Sequence, residues 1–239
     1  MDPAMSDSIY IRLAGPLQSW AGAAVTGNIV RTEEVPSPRS LRGLLAGAMG
    51  YKRDEVPEWL ENIQFTVRQD RLSTIVDDFH TINPRTGEEK FRRRILQMQG
   101  ASATSVKKPV FTPGDNGVTS IVNRTYLADT EFIVRITAEG RTEEIDQALR
   151  SPRFSTYLGR KAFPAVFPFY LGVGNSELLY QLPAIASKRG QEKARVTIHE
   201  FVQNQLMAPY TTEVSTVAHR EAWLQDVGSQ LKRRKTVLA

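Results

Sequence analysis

Residues 9 to 50 leave this chain few ways to fold, because a strand, a break and a helix follow one another there. Ile9, Ile11 and Leu13 alternate with Tyr10 and Arg12, the period-two pattern of a strand with one buried face. Gly15 and Pro16 stop it. Ser37-Pro38 then supplies an N-cap and a proline at the first helical position. Leu41, Leu44, Leu45, Ala48 and Met49 share one face of the predicted helix, and Gly50 is placed to cap its C-terminus. Arg39 and Arg42 sit in the first turn, where the helix dipole disfavours positive charge. An anion bound there would reverse the sign, since free backbone N–H groups and two guanidiniums would converge on it. Two solvated arginines on the polar face account for the pattern equally well.

Further on, residues 54 to 62 suit a short helical turn carrying Val56, Trp59 and Leu60. Residues 64 to 71 alternate as a second strand, with Phe65 and Val67 on one face. Between residues 71 and 122 the periodicity weakens, and Asn83-Pro84-Arg85-Thr86-Gly87 and Pro113-Gly114-Asp115-Asn116-Gly117 are turn signals. A compact domain tolerates so long a stretch only as a functional arm, so it reads as a basic, partly β-hairpin insertion. Residues 124 to 138 read as one long strand, with Phe132, Val134 and Ile136 on one face. A helix follows, with Thr142 as its predicted N-cap, Ile145, Ala148 and Leu149 as its buried stripe, and Ser151-Pro152 as its end. After a polar turn, the apolar run Val166 to Leu171 predicts the last strand of the unit.

Strand, helix, strand, insertion, strand, helix, strand is the βαββαβ order of a ferredoxin-like core in an α+β protein. The topology is shared with RNA-recognition domains but does not by itself assign a function. Residues 175 to 239 read as a smaller β-rich extension, with a strand around Val196, Ile198 and Phe201 and an amphipathic helix within 218 to 231. Met1-Asp2-Pro3-Ala4, ahead of Met5, reads as an added leader, so the core unit is taken as residues 5 to 174.

Charge placement points to a polyanion. The 239 residues carry a net +5, and the segment from Arg68 to Arg124 holds ten Lys or Arg against six Asp or Glu. Lys232-Arg233-Arg234-Lys235 adds a basic tail, which a solvated charge run explains as well as a partner does. The absence of cysteine excludes disulfides and thiolate zinc sites and fits a reducing cytoplasm. No apolar run approaches the roughly 18 residues of a membrane-spanning helix. Phosphate-loop, GxSxG and HExxH motifs are all missing, and His80, His199 and His219 lack metal-ligand spacing. Asp77 and Asp78 beside His80 do not form a metal site on a strand, because adjacent side chains point to opposite faces.

The fragments Leu13-Ala-Gly-Pro-Leu-Gln-Ser-Trp20, Pro38-Arg39-Ser40 before Gly43-Leu44-Leu45, Tyr126-Leu127-Ala128-Asp129 with Phe132, and Leu158-Gly159-Arg160-Lys161 with Pro164 come in one order over residues 9 to 170. In that order they resemble the CasD family of CRISPR-associated proteins. The resemblance implies a RAMP-superfamily, ferredoxin-like core with a β-hairpin thumb at about residues 72 to 122. It further implies a subunit of the type I-E Cascade complex, one copy in each, that binds and caps the 5′ handle of the CRISPR RNA. Its neighbours would be the backbone and large subunits, with target DNA met only through the complex, and neither cofactor nor metal is implied.

The RNA-binding candidates are then Gln18, Ser19, Trp20, Arg39, Ser40, Arg42, Arg92, Arg93, Lys107, Lys108, Arg124, Tyr126, Gly159, Arg160 and Lys161. Cations and backbone N–H groups suit phosphates, and aromatic planes suit unstacked bases. Gly159 would let the backbone approach a phosphate, and Trp20 is either a stacking plane or a core residue. The alternative within the same superfamily is a metal-independent endoribonuclease of CRISPR repeat RNA, for which His80, Tyr126 and Lys161 are the only acid–base candidates.

Overall fold

A computed structural model describes residues 7–20, 22, 29–82 and 120–232. Strand β1 (Ser8–Ala14) lies inside an eight-stranded sheet, flanked by β7 (Glu131–Thr137) and β8 (Tyr170–Gly174). Beyond β7 come β4 (Gln64–Arg71), β10 (Lys193–Val202), β12 (Tyr210–Val217) and β9 (Ala184–Ile185), with β11 (Gln205–Leu206) paired to β10. The strands β8, β1, β7 and β4 are antiparallel to their neighbours. Helix α1 (Pro38–Met49) connects β1 to β4, and α2 (Thr142–Arg150) connects β7 to β8. Residues after 174 lengthen the same sheet, because β10 pairs antiparallel with β4. The result is a mixed α+β protein.

Helix α1 forms as its sequence predicts. Ser37 accepts the Ser40 N–H, Pro38 occupies the first turn, and Gly50 at φ 87° takes the left-handed closing position. The Tyr51 N–H then reaches the Ala46 carbonyl at 2.9 Å and the Gly50 N–H that of Gly47 at 3.1 Å, the two bonds of a Schellman ending. Leu41 and Leu45 enter the core with Ile9, Ile11, Leu13, Phe132 and Ile145. The short turn forms as a 3-10 helix over Glu58–Asn62 with Leu60 buried.

Four details depart from the sequence reading. First, β1 is buried on both faces, not one. Tyr10 joins Leu171, Leu179, Trp223 and Val227 in a second core beneath α3 (Leu178–Gln181) and α4 (Arg220–Gln230). Second, the strand predicted over 124 to 138 breaks at Asp129, whose φ of 57° lets the chain turn from β6 (Ser120–Ala128) into β7. Third, the N-cap position of α2 is Arg141, and Thr142 instead donates its hydroxyl to the carbonyls of Ala138 and Asp7. Fourth, the final strand begins at Tyr170, four residues into the apolar run, since Pro168 lacks the N–H a ladder needs.

Strand β6 belongs to a second, four-stranded sheet with β2 (Leu17–Gln18), β3 (Ile29–Val30) and β5 (Thr74–Ile82). Strands β5 and β6 flank the insertion and pair antiparallel from Thr74 opposite Ala128 to Ile82 opposite Ser120. The remainder of the insertion, with Arg92, Arg93, Lys107 and Lys108, lies outside the described residues, as does most of the basic tail.

Arg68 on β4 has no exposed surface. It pairs with Asp70 through two bonds of 2.7 Å and donates to the carbonyls of Leu179 and Leu182, also at 2.7 Å. Burial nevertheless pushes the Asp70 carboxyl above the usual carboxylate range. Removing the cation alone strands that buried carboxylate, so Arg68→Ala is expected to cost about 3–5 kcal/mol in urea denaturation, and pairing it with Asp70→Leu to recover much of the loss.

His199 on β10 is buried with both ring nitrogens unpartnered among the described residues, and burial holds its pKa below the ordinary 6.5. Below that pH the unfolded chain takes up a proton that the folded one resists, so stability falls as the solution is acidified. His199→Leu is expected to flatten that fall, by at most about 1.4 kcal/mol per pH unit, when urea midpoints at pH 7.5 and 5.5 are compared.

Candidate nucleic-acid interface

The segment from Tyr157 to Pro164 straps the end of β1 to the second sheet. Tyr157 and Pro164 form a β-bridge, and the Leu158 N–H meets the Phe163 carbonyl at 2.7 Å. The Leu158 side chain is fully buried, and its carbonyl accepts the Ser19 N–H at 3.0 Å. Gly159, at φ 83°, lies so close to this crossing that a Cβ would stand 1.6 Å from the Ser19 carbonyl oxygen. The glycine is therefore required by chain crossing, whatever else approaches it.

Between this strap and α1 lies a groove of about 990 Å³. Among the described residues its cations are Lys52, Arg53, Arg153 and Lys161, and no Asp or Glu lines it. Tyr51, Phe154 and Tyr157 supply aromatic surface, with Phe154 50% and Tyr157 37% exposed. The far end is fixed by two bonds into the last turn of α1: the Arg153 N–H to the Ala48 carbonyl at 2.8 Å and the Phe154 N–H to that of Gly47 at 3.3 Å. The groove's own wall thus gives a partner to the Ala48 carbonyl and a second one to the Gly47 carbonyl, which already accepts the Gly50 N–H. Lys52 also touches Glu55 at 3.3 Å, an exposed pair that leaves the lysine largely free to reorient.

On the other side of the strap, Arg160 turns away from the groove. It donates to the Tyr126 hydroxyl and lies over the rings of Tyr126 and Phe163, at 5.4 and 5.7 Å from their centroids. The Tyr126 hydroxyl donates to Asp78 at 2.5 Å, and the same carboxylate oxygen holds His80 Nδ1 at 2.9 Å. Burial and the bond to Asp78 push the Tyr126 phenol above its ordinary value, so it stays neutral. Among the described residues no cluster of His, Asp and Glu is arranged to hold a metal.

The sequence-predicted residues therefore scatter over three environments. Ser19, Ser40, Gly159 and Lys161 line the groove. Tyr126 and Arg160 meet in the neighbouring cluster, with Arg124 half-buried on the same strand and facing Asp78 across the ladder. Gln18 and Trp20 are core residues: the Trp20 indole N–H donates to Gln18 Oε1 at 3.0 Å, and Gln18 itself donates to the carbonyls of Leu13 and Thr130. With Trp20 only 1% exposed, the stacking plane expected of it is not presented. Arg42 departs further from expectation. Its guanidinium turns from the α1 N-terminus to the carbonyls of Leu60 and Glu61, both at 2.9 Å, and to Asn204 at 2.5 Å. Only Arg39 remains exposed there, so the paired guanidinium site does not form.

Sequence reasoning missed Arg153, Phe154 and Tyr157, and the Tyr51-Lys52-Arg53 run just past α1. Cations next to aromatics were the available signal in both places, just past the predicted ends of the two helices.

The groove is walled by one helix and one strap at the margin of an α+β sheet whose β1 and β7 are covered on both faces, and its lining is basic and aromatic. The chain belongs to the CRISPR-associated protein (Cas_Cas5) family, whose model matches residues 8–235. It is 28% identical over 175 residues to the CRISPR system Cascade subunit CasD of Escherichia coli (strain K12), which covers 70% of this chain and 71% of that protein. Among solved structures it resembles a chain of a CRISPR RNA-guided surveillance complex, with a TM-score of 0.66 and 24% identity, covering 93% of this chain and 100% of that one. A crystal structure of a Cas protein matches with a TM-score of 0.51 and 21% identity, over 86% and 93% of the two chains.

The crossing at Gly159 yields a direct test. Gly159→Ala places a methyl group inside the Ser19 carbonyl and is expected to cost about 2 kcal/mol or more by denaturant unfolding. The adjacent Lys161→Ala, exposed on the same turn, is expected to stay within about 0.5 kcal/mol of the parent.

Proposed function

We propose that this chain is a non-catalytic RNA-binding subunit of a type I-E CRISPR Cascade complex, holding the 5′ handle of the CRISPR RNA. The groove between α1 and the strap carries this reading, because its cations and exposed aromatics, with no carboxylate among the described lining residues, suit a single-stranded polyanion. The name of the E. coli relative, a Cascade subunit, supports the assembly, with the backbone and large subunits as neighbours. In this reading the β8-β1-β7-β4 order is a ferredoxin-like core over residues 5 to 174, supported by its antiparallel pairings and two crossover helices. The hairpin rooted in β5 and β6 is the thumb, at about residues 72 to 122, and residues 175 to 239 extend the core's sheet. Neither cofactor nor metal takes part. One copy serves each cytoplasmic complex.

The nuclease alternative draws on His80, Tyr126 and Lys161. The Tyr126 hydroxyl and His80 Nδ1 both meet Asp78, while Lys161 faces the groove on the other side of the strap, so the three are not gathered around one point. The phenol's raised pKa is also the wrong direction for a proton-abstracting base.

Fluorescence anisotropy with handle RNA tests the binding. Lys161→Glu and Arg153→Glu are expected to weaken affinity and each to flatten the dependence of log affinity on log salt by about 0.7, the value for one phosphate contact on a single strand. Unchanged affinity and slope would remove the groove from the reading. In the same preparations repeat RNA is expected to stay intact, and specific cleavage lost on His80→Ala would reassign the protein as the nuclease.

A further inference from the structure

We propose that Phe154 and Tyr157 form a preorganised stacking platform for unpaired nucleobases, a role separate from the phosphate contacts of the surrounding cations. The inference rests on the RNA-binding reading and adds the part of the ligand that the groove recognises. Both aromatics line the groove and keep a large exposed fraction of their surface, 50% for Phe154 and 37% for Tyr157. Rings left open to water while their own backbone is fixed are suited to contact something outside the chain. Both are fixed. The Phe154 N–H is bonded to the Gly47 carbonyl at 3.3 Å, and Tyr157 is held in the bridge with Pro164. With the backbone already anchored, only the side-chain torsions remain to be ordered on binding.

The facing wall is shaped for a flat group. Gly43 and Gly47 stand four residues apart on α1 and both line the groove, and a Cβ built at either meets nothing within 4 Å. Each forgoes helix propensity, about 1 kcal/mol against alanine, with no neighbouring side chain or backbone to require it. The enclosed volume, about 990 Å³, stands at the upper end of the roughly 300–1,000 Å³ typical of small-ligand pockets, so ring-sized groups fit between helix and strap. Cations with no carboxylate among the described lining residues favour an anion over a neutral or cationic peptide, and the exposed aromatics beside them favour a nucleotide.

Stacking and phosphate contacts respond differently to salt, and the test uses that difference. Full-length protein is titrated with handle RNA and with the same RNA carrying abasic nucleotides, at several salt concentrations. Phe154→Ala and Tyr157→Ala are expected to lose roughly tenfold or more in affinity for each stack removed, with an unchanged salt slope. Tyr157→Phe keeps the plane and is expected to bind as the parent does. The alanine variants should show no further loss on abasic RNA, because the base they would have held is already absent. Gly43→Leu, which fills the groove without lowering helix propensity, is expected to weaken binding at an undiminished melting temperature. Parent-like affinity of both alanine variants, or parent protein binding abasic RNA as well as intact RNA, overturns the platform while leaving the RNA-binding reading in place. Failure of the parent to bind handle RNA at all overturns that reading and this inference with it. Loss of association with purified partner subunits in the variants, with RNA affinity unaltered, overturns the platform in favour of a protein occupant.

Discussion

The rest of the molecule depends on a guanidinium that never meets water. Arg68 sits in the middle of the large sheet, where β4 joins β7 on one side and β10 on the other. Its donors are divided between Asp70 and the carbonyls at the end of α3, including Pro183, whose carbonyl also accepts the Trp223 indole N–H at 2.8 Å. Arg12 repeats the arrangement one strand pair away, bonded to Glu131 at 2.5 Å and lying 5.4 Å over the Trp223 ring. Buried pairs of this kind add little net stability, because desolvation offsets most of the attraction. What they do here is fix geometry. A helix end that must meet Arg68 has only one position on the sheet, and α4 follows from it through Trp223.

That second layer has a consequence for function. With α3 and α4 on one face and α1 and α2 on the other, the sheet offers no open surface of its own over β1 and β7. A ligand of this part of the molecule is met at the margins, where α1 ends and the strap crosses β1. The groove lies there. Its walls are held by backbone hydrogen bonds into the α1 C-terminus and by the Gly159 crossing, so its side chains project from fixed points rather than from a loop free to move.

How much of this was legible depended on the range of the forces involved. Helix α1 was readable from end to end because its cap, proline, apolar stripe and closing glycine are all local. The second buried face of β1 was not, since Tyr10 and Arg12 are amphipathic and only the distant residues of α3 and α4 decide that they are covered. Arg42 shows the same limit in a long side chain. Its position on the helix was predictable, but its partners lie at Leu60, Glu61 and Asn204, and nothing near it in sequence announces them. Arg160 and Lys161 are chain neighbours with one charge each, yet the turn sends one to Tyr126 and the other to the groove. Asp129 broke a strand that alternation alone had joined, because a single residue at positive φ outweighs period-two patterning.

In the cluster beyond the strap, hydrogen bonds restrict what Tyr126 can do as an acid–base group. A general base needs a free lone pair facing the substrate and a pKa near the working pH. Tyr126 has neither: its proton is committed to Asp78, its oxygen accepts from Arg160, and burial favours the neutral phenol. Asp78 in turn spends one oxygen on both Tyr126 and His80. The two bonds of the Tyr126 hydroxyl occupy atoms that chemistry would require, and they tie β5 to β6 and β6 to the strap. The same hydrogen bonds therefore brace the root of the insertion against the wall of the groove.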